Sequence, residues 1–335
     1  MHGQFVWYEL ISPDPDGAKK FYSPITGWGT QAFDKDYTMW TTGGAPFAGL
    51  YRLSPEMRQQ GIPPHWMPYV EANNVDETVR LASSLGGKAF VGPQDIPNVG
   101  RFALIQDPQG ARFGVYKASG PSRSWDGTPT LGRMSWHELM TTDSQKAFEF
   151  YRKLFGWDKT GEMDMGGGNM YRMYGKGQPF GGMFNRPPEM ANMPPFWLPY
   201  IFVKDTKKAV DAASKSGAFI QRPPMEVPGG GTIAIIGDPQ GAAIAFHSAT
   251  ASATAARPAA KKASTAKKAS TAKKASTAKK AATSKKQAVA KKRGGTKKRA
   301  TTKKRAKASK RRSAARKAPA AKKRPATKKS AGRRR

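Results

Sequence analysis

The sequence predicts an α+β fold: two copies of one module, each built from two βαβββ units, followed by a disordered basic tail. Three observations carry that prediction. Matched motifs recur in the same order, strands and helices alternate identically in both copies, and the charge divides sharply near residue 249.

The repeat comes first, because a fixed offset means that one structural unit is used twice. Trp7-x-Glu9-Leu10 returns as Trp136-x-Glu138-Leu139, Phe21-Tyr22 as Phe150-Tyr151 and Gly27-Trp28 as Gly156-Trp157, all at an offset of 129. Pro46-Phe47-x-Gly49 returns as Pro179-Phe180-x-Gly182 at an offset of 133. Trp66-x-Pro68-Tyr69 returns as Trp197-x-Pro199-Tyr200, and Asp107-Pro108-Gln109-Gly110-Ala111 as Asp238-Pro239-Gln240-Gly241-Ala242, both at 131. Loop insertions and deletions account for the drift.

Each copy opens with a strand (5–11; 134–140) and a helix that starts near an acidic or proline-rich cap (14–24; 142–155), followed by Gly-Trp. Apolar and aromatic runs at 37–42 and 47–53, and at 169–174 and 180–184, read as strands. A second strand–helix pair begins at Trp66 and at Trp197. Its helices (75–85; 206–216) stop at Gly86 and Gly217, because glycine accepts the left-handed conformation that ends a helix. Short strands close the copies at 88–92, 100–106 and 112–117, and at 218–222, 231–237 and 243–247. The expected division is therefore 1–118, a linker at 119–131, 132–248, and a tail at 249–335.

Composition separates the tail from the rest. Of 58 Lys+Arg, 34 fall in 249–335, where there is no Asp or Glu; residues 1–248 keep 24 basic and 23 acidic residues. All eight Trp lie in 1–248, enough apolar material for two ordinary cores. The absence of Cys excludes disulfides, thiolate metal sites and thiol nucleophiles. The N-terminus lacks the basic and apolar regions of a signal peptide, and no apolar run is long enough to span a membrane. The expectation is a cytoplasmic, nucleoid-associated protein with no membrane partner.

The order of elements, the FY-x(4)-GW segment and DP-x-GA before the last strand together resemble the vicinal oxygen chelate superfamily of glyoxalases, extradiol dioxygenases and bleomycin-resistance proteins. The resemblance covers nearly all of 1–248 and is greatest to bacterial glyoxylase-like proteins with two modules in one chain. It implies sheets curved into open cups that hold a ligand, and usually a divalent metal. The family's ligand positions correspond here to Trp7, Met67 and Gly114 in one copy, and to Trp136, Leu198 and Ala245 in the other. Indole, thioether and aliphatic groups are not ligands for such an ion. No cofactor is expected, and no metal site.

Strand alternation places Glu9 and Glu138 on the same face as Trp7 and Trp136, inside the cups. A carboxylate buried there needs a partner. It is either a general base or ligand anchor, or a structural group bonded to a neighbouring strand or to an Arg such as Arg101. His247 shares a face with Ala245 and is expected near Glu138, whereas His137 points the other way and His2 lies at a frayed terminus. Trp7, Met67, Tyr69, Trp136, Leu198, Tyr200 and His247 are the candidate ligand-binding residues for an unknown small molecule. The recurring Trp66 and Trp197 either wall the cups or pack as core. Gly166–Gly168 and 229–231 do not open helices and read as turns.

In the tail, Lys-Lys-Ala-Ser-Thr-Ala runs three times from Lys261, supplying Lys261, Lys262, Lys267, Lys268, Lys273 and Lys274. Denser clusters follow at Lys291, Lys292 and Arg293, at Lys303, Lys304 and Arg305, and at Arg311 and Arg312. No large aliphatic or aromatic residue follows Val289, so no core can form. The composition is similar to linker-histone C-terminal domains. Lys and Arg without acidic neighbours displace counterions from DNA, or RNA, without reading sequence.

Three functions stay open on this reading: a small-molecule-binding core tethered to DNA, a metal-independent glyoxalase- or lyase-type enzyme using Glu9 or Glu138, and a DNA-compacting protein with a structural core. Truncation at residue 248 should abolish DNA retardation in gel shifts at about 150 mM salt, where the full chain still binds. Equal retardation by both would remove the tail from the account.

Overall fold

The computed structural model describes residues 2–121, 128–228 and 230–249, and carries one element sequence twice. The first repeat contains β1 (Phe5–Ser12), α1 (Pro15–Thr26), β2 (Gly29–Ala32), β3 (Tyr37–Thr42), β4 (Ala45–Arg52), α2 (Pro55–Gln59), β5 (His65–Glu71), α3 (Val75–Ser84), β6 (Lys88–Ile96), β7 (Gly100–Gln106) and β8 (Arg112–Ala118). The second contains β9 (Met134–Thr141), α4 (Ser144–Phe155), β10 (Asp158–Asp164), β11 (Met170–Lys176), β12 (Gln178–Asn185), β13 (Phe196–Phe202), α5 (Thr206–Lys215), β14 (Phe219–Val227), β15 (Gly231–Gly237) and β16 (Ala243–Ala249). A 3₁₀ turn, Pro188–Met190, stands where the first repeat has α2. The tail clusters expected to bind nucleic acid, and residues 122–127 of the expected linker, lie outside the described residues. Among the described residues no helix is long and apolar enough to cross a membrane.

Local chemistry sets the helix ends. The side chains of Asp14, Asn74, Asp143 and Asp205 each accept a backbone N–H three residues on, satisfying donors that the first turn leaves open. Gly27 and Gly156 close α1 and α4 at φ 74° and 68°. Helix α1 passes through Pro24 to Thr26, further than the sequence suggests. Strands β2 and β10 were not legible, since β2 is exposed throughout and β10 largely so, and neither shows apolar alternation.

Each repeat forms one eight-stranded sheet, ordered β2-β3-β4-β1-β5-β8-β7-β6 and β10-β11-β12-β9-β13-β16-β15-β14. The two βαβββ units of a repeat meet at an antiparallel central pair, β1 with β5 and β9 with β13. Outside that pair the chain returns in parallel, β4 beside β1 and β8 beside β5.

The apolar cores run between the repeats. One joins Leu10, Phe21, Tyr22, Trp28 and Trp40 of the first repeat to Val210, Ile236, Ile244 and Phe246 of the second. The other joins Val70, Ile105, Phe113 and Val115 to Phe150, Tyr151, Phe155 and Trp157. Helix α1 accordingly packs beside α5, and α4 beside α3. The recurring motifs tie these cores together. Asp107 Oδ1 accepts the amides of Gln109, Gly110 and Ala111, while Oδ2 accepts the Tyr151 hydroxyl of the other repeat at 2.9 Å. Asp238 likewise accepts Tyr22 at 2.9 Å. Trp66 and Trp197 donate Nε1–H to Tyr22 and Tyr151, at 3.0 and 3.2 Å, so these two indoles are core and do not wall a cup. Trp28 and Trp157 each donate at 2.6 Å to a carbonyl of the opposite repeat, Gly132 and Gly3. His2 is therefore not at a frayed end: the next residue is held by Trp157 and by Glu71 O. A buried hydrogen bond to a charged partner stabilises by about 1.5–3 kcal/mol.

At the centre, the equivalent residues Tyr8 and His137 meet, with Tyr8 Oη 2.5 Å from His137 Nε2 and His137 Nδ1 2.8 Å from Phe180 O. Phe5 stacks on the imidazole, with 3.8 Å between centroids. Burial pulls the His137 pKa down from 6.5 to about 3. Between these values the unfolded chain binds the proton and the folded chain does not, so stability is full above pH 6.5 and falls as the pH drops toward 3. The slope is about 1.4 kcal/mol per pH unit. Melting curves of His137→Gln should show a less stable protein at neutral pH that loses less than the wild type on acidification to about pH 4.5. Parallel losses would exclude His137 as the group responsible.

Candidate functional site

Because strand side chains alternate, the residues between those of the core emerge on the opposite, helix-free face of each sheet. Tyr8 and Leu10 enter the core, so Trp7, Glu9 and Ile11 face the other way; on β5, Met67 and Tyr69 do so too. The register sets them side by side. Trp7 stands opposite Tyr69, and Tyr69 opposite Gly114; Glu9 stands between Gly49 and Met67. In the second repeat the rows are Trp136–Tyr200–Ala245 and Gly182–Glu138–Leu198. Ile11, Leu53, Met67 and Tyr69 form one cluster with Trp7, Leu104 and Tyr116; Leu198, Tyr200 and Ala245 form the other with Trp136, Ile233 and Ile235.

Each glutamate stands between two phenols. Tyr37 donates to Glu9 Oε1 at 2.8 Å and Tyr69 to Oε2 at 2.6 Å, while Trp7 Nε1–H donates to Tyr37 Oη at 2.9 Å. In the second repeat Tyr171 donates to Glu138 Oε2 at 3.0 Å, and Trp136 Nε1–H donates to Tyr171 Oη at 2.8 Å. Tyr200 faces Glu138 as well and favours its charged form. Glycines make the reach possible. A Cβ on Gly49 or Gly182 would collide with the phenol of Tyr37 or Tyr171, and one on Gly114 with the Tyr69 ring. The Gly of the repeated Pro-Phe-x-Gly motif is thus the floor under a tyrosine.

Burial raises the pKa of Glu9, an effect that the Tyr69 and Tyr37 hydrogen bonds oppose. Burial also raises that of Glu138, opposed by Tyr171, Tyr200 and the positive charge of Arg222. Burial and the neighbouring carboxylate push Tyr37, Tyr69, Tyr171 and Tyr200 upward, which keeps all four phenols protonated as donors. The result is a half-buried carboxyl with elevated proton affinity, fixed in orientation, on an aromatic and aliphatic wall.

These residues do not fit a divalent metal. Each site offers a single carboxylate, already accepting phenols on its oxygens, beside an indole N–H that can only donate and a Met or Leu. Among the described residues no three His, Cys, Asp or Glu side chains are grouped as ligands.

Several expectations are corrected. Arg101 does not serve Glu9; it pairs with Asp76 at 2.7 Å and Asp95 at 2.9 Å. His247 lies on the same strand face as Ala245, yet its Nδ1 sits 3.0 Å from Ser135 Oγ and its bond is not to Glu138. Sequence reasoning missed Tyr37 and Tyr171. They stand 134 residues apart, an offset shared by none of the motif matches, because β2 has four residues and β10 seven.

Comparison with known proteins agrees with this architecture. The model of the Glyoxalase/Bleomycin resistance protein/Dioxygenase superfamily matches residues 133–246. "Putative glyoxylase CFP32" of Mycobacterium tuberculosis is 30% identical over 244 residues, covering 70% of this chain and 91% of that protein. "Anthracycline biosynthesis protein DauV" of Streptomyces sp. strain C5 is 30% identical over 168 residues, covering 46% of this chain and 61% of that one. The Mn(II)-bound glyoxalase of Novosphingobium aromaticivorans shares the fold, with a TM-score of 0.53 at 16% identity, over 74% of this chain and 82% of that one.

The phenols stabilise the ionised carboxylates, so removing one should raise the pH at which its partner protonates. Infrared difference spectra of Tyr69→Phe and Tyr200→Phe should show carboxyl protonation beginning at higher pH than in the wild type. An unchanged titration would mean that the phenols do not act on the glutamates in solution.

Proposed function

The chain belongs to the Glyoxalase/Bleomycin resistance protein/Dioxygenase superfamily, and on that premise we propose that each repeat binds a small organic molecule on its helix-free face without a metal. One observation carries the reading: the same Glu–Tyr–Tyr–Trp constellation stands in both repeats, beside the strands where the family places metal ligands. Each glutamate accepts an O–H or N–H from the ligand through its remaining lone pairs, while the phenols hold its orientation. Trp7, Met67 and Tyr69, or Trp136, Leu198 and Tyr200, supply the apolar wall for a flat molecule. The relatives' names, a glyoxylase and an anthracycline biosynthesis protein, both belong to small-molecule chemistry. The polycationic tail is proposed to hold this binding core on DNA; its support is the composition of 249–335.

A second reading rests on the raised pKa of Glu9 and Glu138. A carboxylate of increased basicity can take a proton from a carbon next to a carbonyl, leaving the electron pair as an enolate that a nearby phenol stabilises by hydrogen bonding. Activity of this kind would rise with pH as the carboxyl ionises.

Native mass spectrometry of the full chain tests the first reading. A co-purifying small molecule is expected, lost in the double variant Glu9→Gln/Glu138→Gln, with metal content well below one ion per chain. Retention in the double variant would remove the glutamates from binding. Stoichiometric Mn, Fe, Ni or Zn whose chelation releases the molecule would overturn the metal-free proposal.

A further inference from the structure

The two constellations are alike, but their surroundings are not. Edge strand β6 of the first repeat and β14 of the second have the same register irregularities. At equivalent positions, Val91 pairs with Leu104 and Arg222 with Ile235. Leu104 and Ile235 belong to the two clusters around the glutamates, and paired residues on neighbouring strands project from the same face. Val91 and Arg222 therefore look over equivalent sites, one apolar and one cationic. The electrostatics agree with the register, since the Arg222 charge acts on both Glu138 and Tyr200.

Arg222 has no structural use for that charge. Its guanidinium is exposed, its Nη1 lies 3.5 Å from Met225 Sδ, and among the described residues no carboxylate is within ion-pair distance of it. In the first repeat, by contrast, Arg101 is neutralised by Asp76 and Asp95. A second difference lies on the last strands. Tyr116 of β8 closes its hydroxyl on Val99 O at 3.0 Å, whereas the equivalent residue of β16 is His247, held by Ser135. The second site thus has a fixed carboxyl at its floor and an uncommitted guanidinium at its rim, and its last strand carries an imidazole in place of a phenol. The first has only the carboxyl.

We propose that the repeats have diverged in ligand class: the second site takes a small aromatic or planar acid, its carboxylate paired with Arg222 and its hydroxyl or N–H donated to Glu138, while the first admits neutral molecules. This rests on the reading of the glutamate sites as ligand sites. Arg matches a carboxylate through two parallel N–H donors, and such a charge-assisted pair is about twice as strong as a neutral hydrogen bond. That difference corresponds to roughly tenfold in affinity or more.

Calorimetric titration of the full chain with 4-hydroxyphenylacetate and with its neutral analogue 4-hydroxyphenylacetamide tests the inference. The acid should bind about tenfold more tightly than the amide, at one site per chain. Arg222→Val, which installs the first repeat's residue, should bring the ratio of the two affinities near one. Adding Val91→Arg to that variant should restore the preference, now in the first repeat. The tail is present throughout, so its charge cannot produce the difference between variants. Acid and amide binding equally, or a preference that survives Arg222→Val, overturns the divergence and leaves the glutamate sites standing. Failure of both probes to bind overturns the divergence as well, and if the Glu9→Gln/Glu138→Gln variant also keeps its co-purified molecule, the underlying reading falls with it.

Discussion

Everything else in this structure depends on burial across the pseudo-symmetric pair. Both large apolar clusters draw on both repeats, so the helix-bearing face of each half-sheet is covered by the other copy. The polar atoms that this burial strands are satisfied in the same exchange, the Tyr22 and Tyr151 hydroxyls by Asp238 and Asp107 of the opposite repeat. An unpaired carboxylate at either place would cost several kcal/mol. This explains two motifs that recur at fixed spacing: the tyrosine after Phe21 or Phe150 and the aspartate before Pro108 or Pro239 are partners across the interface.

With one face of each sheet committed to that interface, strand alternation fixes what the other face presents. Glu9 and Glu138 cannot turn inward without turning Tyr8, Leu10, His137 and Leu139 out of the core. Their carboxyls are therefore held where water is scarce, and the phenols reaching over glycine are what make that position tolerable. In the first repeat, the Tyr69 ring fills the space above Gly114, where the family pattern puts its third metal ligand. Two phenols and an indole thus surround each glutamate on the frame that the family shares.

The two sites have the same backbone and differ at their margins. Val91 and Arg222, and Tyr116 and His247, lie outside the two cores that the repeats share. Substitution of the exposed Arg222 costs little stability. Duplication thus supplies two copies of one floor whose margins can differ without repacking the shared interior.

Much of this could be read from the residues alone. The repeat, the α+β order, the helix caps and the helix-free placement of Trp7, Glu9, Trp136 and Glu138 follow from spacing and alternation, which are local. That positions 7, 67 and 114 hold Trp, Met and Gly needs only residue identity to see. Strands β2 and β10 were not legible, since exposed strands carry no burial pattern. Tyr37 and Tyr171 were hidden by unequal hairpins that put them out of step with every other match. The partners of Glu9, His247 and Tyr22 come from strands or helices distant in the chain, and no periodicity encodes which of several candidates will be nearest. Sequence determined which face each side chain would take, because that depends on backbone geometry over two or three residues. Only the tertiary structure decided who meets whom on that face, because register and cross-repeat packing are set by the burial of the whole.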